Sequence, residues 1–497
     1  MKKLIVFVFS LFASPTAFAG KPNIIWLMAE DMGLDLECYG MPGVKTPNLN
    51  KMAKEGILYK KAYCTNPICS PNRSAMMIGV HQNITNTHNH RSNRNVPLEA
   101  PFKPITFWLR EAGYTCLLGH DLVMGKGTKT DCNFKHKPVG PWDGEKNFGL
   151  FDKQSNFTAA DQPFFSQIQL KVTHRGDWWN GIRKASKHPV PLEKVELPPY
   201  FADTPEIRYD WAAYLDTVEY MDNEVGLLIA DLKKQGLEKN TVVIFIADNG
   251  RCNLRGKGYL QEPGIHVPMI IWAPGIAEPG KVVEDLVSTI DISATVLQLA
   301  GAKRPDYMTA KPVLGTEEVE YRDSIRSARD IWDEINECSR SITTARYKYI
   351  KNHMPEVPWA TDQAYLEINR PALHVMRTLK QKGSLSVNEA IFFADRKPDE
   401  ELYDLENDPG ELTNLADHPD YQHVLRELRM KELQWISQNR DRGLEDFTTR
   451  KPALGLAAER ARAGIKANEP ELWERLETGE LMETSQWMKK YRKWPLE

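Results

Sequence analysis

Apolar runs of strand length alternate with helix-spaced apolar positions along most of this chain. Residues 23–28 form an apolar run, and residues 241–247 form a second. Ile168, Leu170 and Val172 alternate as in a strand. Thr46-Pro47 reads as an N-cap followed by proline at the first helical position, and Leu49, Met52, Ala53 and Ile57 then recur at helical spacing. Trp211, Leu215, Val218, Met221, Val225, Leu228 and Leu232 mark a long amphipathic helix closed by Gly236. Residues 290–300 read as another helix. Such alternation predicts an α/β fold, with a large, mostly parallel central sheet flanked by helices.

After about Cys338 the texture changes. A short strand-like piece at 347–350 and charged helical stretches predict a smaller C-terminal α+β subdomain over 339–497, behind a main α/β domain over 20–338. Its tail is polar from about Arg440, with Trp473, Trp487 and Trp494 expected to pack it onto the body. No internal repeat or long low-complexity segment interrupts this organisation.

The first residues have a different purpose. Lys2 and Lys3 precede an apolar run at 4–13, and Ala17-Phe18-Ala19 fits a small-x-small cleavage site before Gly20. That run is too short to span a bilayer. Residues 1–19 are therefore expected to be a signal peptide, and the protein to be periplasmic or secreted, without a transmembrane segment. At 497 residues the chain is long enough for two or more domains, and its net charge of −3 argues against a broadly basic, nucleic-acid-binding surface. Seven cysteines in this length do not make a disulfide scaffold. Setting Cys69 aside, Cys38, Cys64, Cys116, Cys132, Cys252 and Cys338 could pair in an oxidising compartment, in combinations that spacing does not select. No Cys-x-x-Cys supports a zinc ribbon or a thioredoxin-like site.

Two oxygen-rich segments follow predicted strands: Glu30-Asp31 after 23–28, and Asp248-Asn249-Gly250 after 241–247. Ligands of open α/β sheets gather beyond the carboxyl ends of strands. Brought together, these ends would make a hard-cation site for Ca²⁺ or Mg²⁺; read alone, each is an acidic turn. Between them stands Cys69-Ser70-Pro71-Asn72-Arg73, a Cys-x-Pro-x-Arg pattern running into the apolar segment 74–78. If a helix begins near Pro71, its N-terminus would favour an anion.

Taken in order, these segments resemble the type I, formylglycine-dependent sulfatases of the alkaline phosphatase superfamily. Arg255-Gly256-Lys257, Glu262-Pro263-Gly264, Val267-Pro268 and the Glu401-Leu402-Tyr403-Asp404-Leu405 segment with Asp408-Pro409 and Asn414-Leu415 extend the match over most of the chain. His88-Asn89-His90-Arg91 and Thr173-His174-Arg175 resemble the branch of heparan N-sulfatases and marine or gut polysaccharide sulfatases.

The resemblance implies a nucleophile formed from Cys69 by a formylglycine-generating maturation enzyme. It implies a divalent cation, Ca²⁺ or alternatively Mg²⁺, held by Glu30, Asp31, Asp248, Asn249 and the modified Cys69. Arg73 would hold the modified side chain, Lys257 would contact sulfate and could share the leaving-group role, and His174 would be the general acid. Two segments depart from the pattern. Glu30 stands where Asp is usual, and Lys129-Thr130-Asp131 stands where Lys-x-His is common. Lys129 is the favoured sulfate-binding lysine, with Lys126 the alternative. His88, His90, Arg91, Arg175 and Arg255 would line the substrate pocket. Trp178 and Trp179 could stack on sugar rings or fill an interface.

The implied substrate is a sulfated oligosaccharide or polysaccharide, with exo-acting hydrolysis of a sulfated galactan such as carrageenan the leading expectation. The alternatives are an N-sulfoglucosamine sulfohydrolase, a phosphate or phosphonate monoesterase, and a sulfated-glycan binder retaining an unmodified Cys69.

Overall fold

Strand Asn23–Ala29 has every residue buried, as do Phe164–Leu170 and Thr241–Ala247. Strands buried along their whole length, rather than on alternate residues, belong in a sheet covered on both faces. The computed structural model places them at the centre of an eight-stranded sheet. Its order is Lys281–Ser288, Ile57–Tyr63, His266–Trp272, Thr241–Ala247, Asn23–Ala29, Phe164–Leu170, Thr115–Leu118 and Lys153–Gln154. His266–Trp272 runs antiparallel to both neighbours, and the other pairings are parallel. This is the expected mostly parallel α/β sheet.

The structure describes residues 20–450 apart from 177, 276, 316–318, 334, 362 and 446, together with 467, 470, 471 and 474. The 1–19 segment, Trp473, Trp487 and Trp494 lie outside the described residues. Among those described, no helix is long and apolar enough to cross a membrane.

The long helix is Pro205–Lys234, with Thr204 as its N-cap accepting from the Ile207 N–H and Gly236 beyond its end at φ 69°. Its Asp222 supplies a cap that local sequence does not show. The Asp222 carboxylate accepts from the N–H groups of Asn48 (3.1 Å) and Leu49 (2.8 Å) at the start of helix Pro47–Glu55. The Thr46 hydroxyl, the expected cap, accepts from the Glu37 N–H instead.

A second, antiparallel sheet of four strands has the order Ile325–Arg329, Ser339–Thr343, Tyr347–Asn352 and Glu400–Asp404. It begins ahead of Cys338. Helix Gln422–Gln438 covers it through Val424, Leu425 and Leu428. All seven cysteines are free thiols, so none of the pairings left open for six of them is formed. Six of the seven are buried, and apart from Cys69 these serve the fold as small apolar side chains.

Candidate active site

Register places the acidic segments together. Asn23–Ala29 and Thr241–Ala247 pair residue for residue from Asn23↔Thr241 to Ala29↔Ala247, so their carboxyl ends emerge side by side. The nucleophile segment arrives on helix Cys69–Ile78, which begins two residues before Pro71 and is buried throughout. Pro71 falls in the first turn, where a missing N–H costs nothing. Cys69 Sγ lies 3.7 Å from Asp31 Oδ1. One ligand atom each from Glu30, Cys69 and Asp248 fit within 4.8 Å of one another.

Asp31 is the hub. Its carboxylate accepts from Lys257 Nζ at 2.8 and 2.9 Å and from Asn249 Nδ2 at 2.9 Å. Its own N–H donates to Asp248 Oδ1 at 3.1 Å, and His174 Nε2 stands 3.6 Å from its Oδ2. Arg73 Nε binds Asp248 Oδ2 at 2.8 Å while another of its nitrogens donates to Gln169. Lys129 pairs with Glu30. Glu30, Asp31, Asp248 and Asn249 form an oxygen-only donor set suited to Ca²⁺ or Mg²⁺. Asn249 Oδ1 fits that reading, being buried with no hydrogen-bond partner among the described residues.

Charge is distributed unevenly over this cluster. Burial, reinforced by Asp248 and Asp31 and opposed by Lys257, holds the Cys69 thiol well above its ordinary pKa. The unmodified residue is thus a neutral thiol and a poor nucleophile. Burial would discharge Lys257, but the Asp31 carboxylate outweighs it and keeps the ammonium charged. Burial would raise the Asp31 carboxyl, but Lys257 and His174 hold it below its ordinary range. Burial brings the His174 imidazole down to about 3, with Lys257 and Lys129 also lowering it and Asp31 opposing. The His174 Nδ1–H donates to the Arg175 carbonyl at 2.9 Å, so Nε2 is the atom free to exchange a proton toward the pocket.

Glu30, Asp31, Cys69, Arg73, Lys129, His174, Asp248, Asn249 and Lys257 therefore converge. His90 lies behind the nucleophile helix, with Nδ1 2.9 Å from Ser70 Oγ and Nε2 3.5 Å from Asp333. Arg91 donates its N–H to Ser70 Oγ at 3.2 Å and points its guanidinium at Asp131, 3.6 Å away.

Five predicted pocket residues have other surroundings. His88 is buried and faces the ion cluster of Asp330, Arg340, Asp441 and Arg450. Lys126 is exposed and pairs with Asp121 at 3.1 Å, which leaves Lys129 as the lysine at the cluster. Arg175 is buried against Asp210, with its guanidinium 4.3 Å over the Trp179 ring. Trp179 is buried and donates to the His174 carbonyl at 2.9 Å, so it anchors His174 instead of offering a face to sugar. Arg255 donates to the Glu411 carbonyl at 2.8 Å and lies 5.0 Å over Tyr200. Trp178 remains partly exposed, tied through its indole N–H to the Val172 carbonyl at 2.7 Å.

Three residues outside the predicted set stand among these groups. Gln169 holds Arg73, Arg94 pairs with Asp131, and Tyr365 brings its hydroxyl 3.5 Å from Asp31 Oδ2. Asp131 itself is held well below the usual carboxylate range; burial opposes this, but Arg91, Lys129, His90 and Arg94 outweigh it. Gln169 was legible as a polar residue within the buried strand Phe164–Leu170. Tyr365 carries no local signal, because the chain between it and the acidic cluster is closed only by the fold.

Comparison with known proteins agrees with this geometry. Residues 22–302 match the family described as Sulfatase, and residues 250–362 match N-sulphoglucosamine sulphohydrolase, C-terminal. An ulvan-active sulfatase of Formosa agariphila is 31% identical over 460 residues, covering 84% of this chain and 75% of the relative. The N-sulphoglucosamine sulphohydrolase of Homo sapiens is 25% identical over 474 residues, covering 84% of this chain and 90% of that protein. The solved structure of a 2-O GAG sulfatase shares the fold, with a TM-score of 0.59 at 18% identity, over 87% of this chain and 94% of that one. With a family match across most of the α/β half and that site at its centre, the chain belongs to the sulfatase family and is a sulfatase.

Proposed function

We propose that this sulfatase removes sulfate from the oligosaccharides of a sulfated algal polysaccharide, using formylglycine made from Cys69 and a bound Ca²⁺ or Mg²⁺. The observation that carries the reading is the convergence of Lys257, Lys129, Arg73 and the oxygen-only donor set on Cys69 at a helix N-terminus. With the cation held by Glu30, Asp31, Asp248 and Asn249 and Cys69 converted, those groups supply Lewis-acid polarisation of sulfate and the attacking oxygen. The rest falls to the chain's own side chains. Lys257 and Lys129 present ammonium charge to the sulfate oxygens. Arg73 fixes Asp248. His174, unprotonated in the free site, would gain its proton beside the negative charge of bound sulfate and give it from Nε2 to the leaving sugar oxygen, its ring held by the Arg175 carbonyl at Nδ1 and by Trp179 behind its own carbonyl.

The ulvan-active relative supports ulvan fragments as the first substrates to try, with carrageenan fragments second. N-sulfoglucosamine is a further reading, favoured by the C-terminal match over 250–362. Residues 1–19 support export to the periplasm or beyond, where a matured enzyme would meet such oligosaccharides.

The test uses enzyme purified after co-expression with a formylglycine-generating enzyme. Peptide mass at Cys69 reports conversion. Sulfate release is then measured on ulvan, carrageenan and heparan fragments, on 4-nitrophenyl sulfate and on 4-nitrophenyl phosphate. Fastest release from a sulfated saccharide supports the reading. Preference for the phosphate ester, or no turnover by fully converted protein, overturns it.

A further inference from the structure

Strands Tyr347–Asn352 and Glu400–Asp404 are antiparallel neighbours, which a hairpin of about 2–5 residues could join. The chain instead leaves the sheet for residues 353–399. It builds helices Ala364–Asn369, Pro371–Gln381 and Val387–Ala390, and then returns. An excursion this long between neighbouring strands asks for a reason. Its path supplies one, since it travels back to the catalytic cluster.

Three bonds pin it there. The Trp359 carbonyl accepts from Tyr259 Oη at 2.6 Å, Gln363 Nε2 donates to the Trp332 carbonyl at 3.2 Å, and Arg370 donates to the Lys257 carbonyl at 2.7 Å. Between the pins stands Tyr365, half-buried. Its ring lies 5.1 Å beneath Lys257 Nζ, 5.5 Å from the Trp332 ring and 6.5 Å from the His174 ring. Its hydroxyl is 3.1 Å from Cys252 Sγ and 3.5 Å from Asp31 Oδ2. A thiol is a weak acceptor, and 3.5 Å is the outer limit of a hydrogen bond. The phenol therefore reaches the reacting centre without a strong acceptor, beside His174, on the wall shared with Lys257.

We propose that Tyr365 is a substrate-contacting residue of the leaving-group subsite. Its hydroxyl donates a hydrogen bond to the oxygen that links sulfur to the sugar, and its ring forms the wall on which that sugar packs. The excursion is then the means by which the C-terminal part of the chain completes the catalytic site. This rests on the sulfatase reading of the same cluster.

Tyr365→Phe keeps the ring and removes the donor, whereas Tyr365→Ala removes both. Expected for Tyr365→Phe is about a tenfold loss in kcat/KM on a sulfated oligosaccharide, carried mainly by kcat. The loss should be smaller on 4-nitrophenyl sulfate and grow with leaving-group pKa across a sugar and aryl series. Tyr365→Ala should in addition raise KM for the saccharide. A second arm measures ulvan oligosaccharide binding by calorimetry to Cys69→Ala with and without Tyr365→Ala, where Kd should rise several-fold. Thermal unfolding verifies that each variant folds. If the wild type turns over saccharide and Tyr365→Phe matches it on every substrate, the Tyr365 assignment fails while the sulfatase reading stands. If the wild type turns nothing over, the proposed function fails, and an unchanged Kd in the binding arm independently overturns the role of Tyr365.

Discussion

Glu432 is the place where charge and burial conflict most plainly. It lies on helix Gln422–Gln438, is buried, and faces Arg326 of strand Ile325–Arg329 with 3.5 Å between Oε2 and Nε. Neither carboxylate oxygen, nor Arg326 Nε, has a hydrogen-bond partner among the described residues. A buried ion pair with no hydrogen bond between its partners does not recover its desolvation cost. Burial accordingly pushes the Glu432 carboxyl from 4.5 up to about 7, against the pull of Arg326 and Arg340 and with some help from Asp441. The folded protein thus holds a proton there that the unfolded chain releases. Stability should fall as pH rises from about 4.5 to about 7 and level off above, by about 3 kcal/mol for a shift of this size. Glu432→Gln removes that loss, so the variant should match the wild type near pH 4.5 and exceed it above pH 7. Unfolding entropy of about 2.1 cal/mol/K per residue turns the difference into about 3 °C for a chain of this length. Thermal unfolding at one scan rate from pH 4.5 to 8.5 makes the comparison. A variant less stable than the wild type at pH 8, or one offset equally at every pH, refutes the reasoning.

Cys69→Ala should fold with an unchanged melting temperature and show no turnover, since the buried thiol makes no strong bond; retained activity in purified variant would exclude Cys69 as the nucleophile. His174→Ala should cost about 10²–10⁴-fold on a sugar sulfate and much less on 4-nitrophenyl sulfate, whose phenolate leaves without a proton. Lys257→Ala should damage both, and equal losses for His174→Ala would move the acid role to Lys257. Saturating Ca²⁺ should raise the melting temperature by a few degrees, as a ligand at about a hundred times its Kd contributes about 2.7 kcal/mol. That rise should vanish on chelation and in Asp248→Ala; a melting temperature indifferent to Ca²⁺ and Mg²⁺ would argue against the cation site.

What could be read ahead of the structure was whatever is local or ordered along the chain. The apolar runs at 23–28 and 241–247 became central strands because they have no polar face to offer water. The two acidic segments meet, as their places after strands predicted, because those strands are parallel neighbours in register. Pocket residues fared worse, for a physical reason. Arg175 follows His174 directly, but its side chain leaves in a different direction and meets Asp210. His88 and His90 share one loop, yet only His90 reaches the nucleophile helix. Sequence proximity says nothing about which side of a loop a side chain occupies. Contacts such as Asp222 with Asn48 and Leu49, or Tyr365 with Asp31, join distant segments and become visible only once the chain is folded.

Backbone strain explains how the consecutive carboxylates of Glu30 and Asp31 serve one site. Successive residues of an extended strand point to opposite faces of the sheet. Asp31 breaks that alternation by taking φ 50°, in the left-handed region that non-glycine residues avoid. Glu30 can then meet Lys129 while Asp31 turns to Lys257 and Asn249. Arg91 at φ 53°, Asp131 at φ 47° and Asp333 at φ 51° carry the same strain around the nucleophile helix. Conformations of this kind cost about 1–3 kcal/mol each and persist only where their surroundings over-determine them. Here each strained residue also meets a polar partner: Asp31 is ion-paired with Lys257, Arg91 and Asp131 with each other, and Asp333 lies against the His90 ring. Lys257, which would act on sulfate, thus also holds Asp31 in the conformation that aims it, and a substitution at any one of these positions should disturb geometry as well as charge.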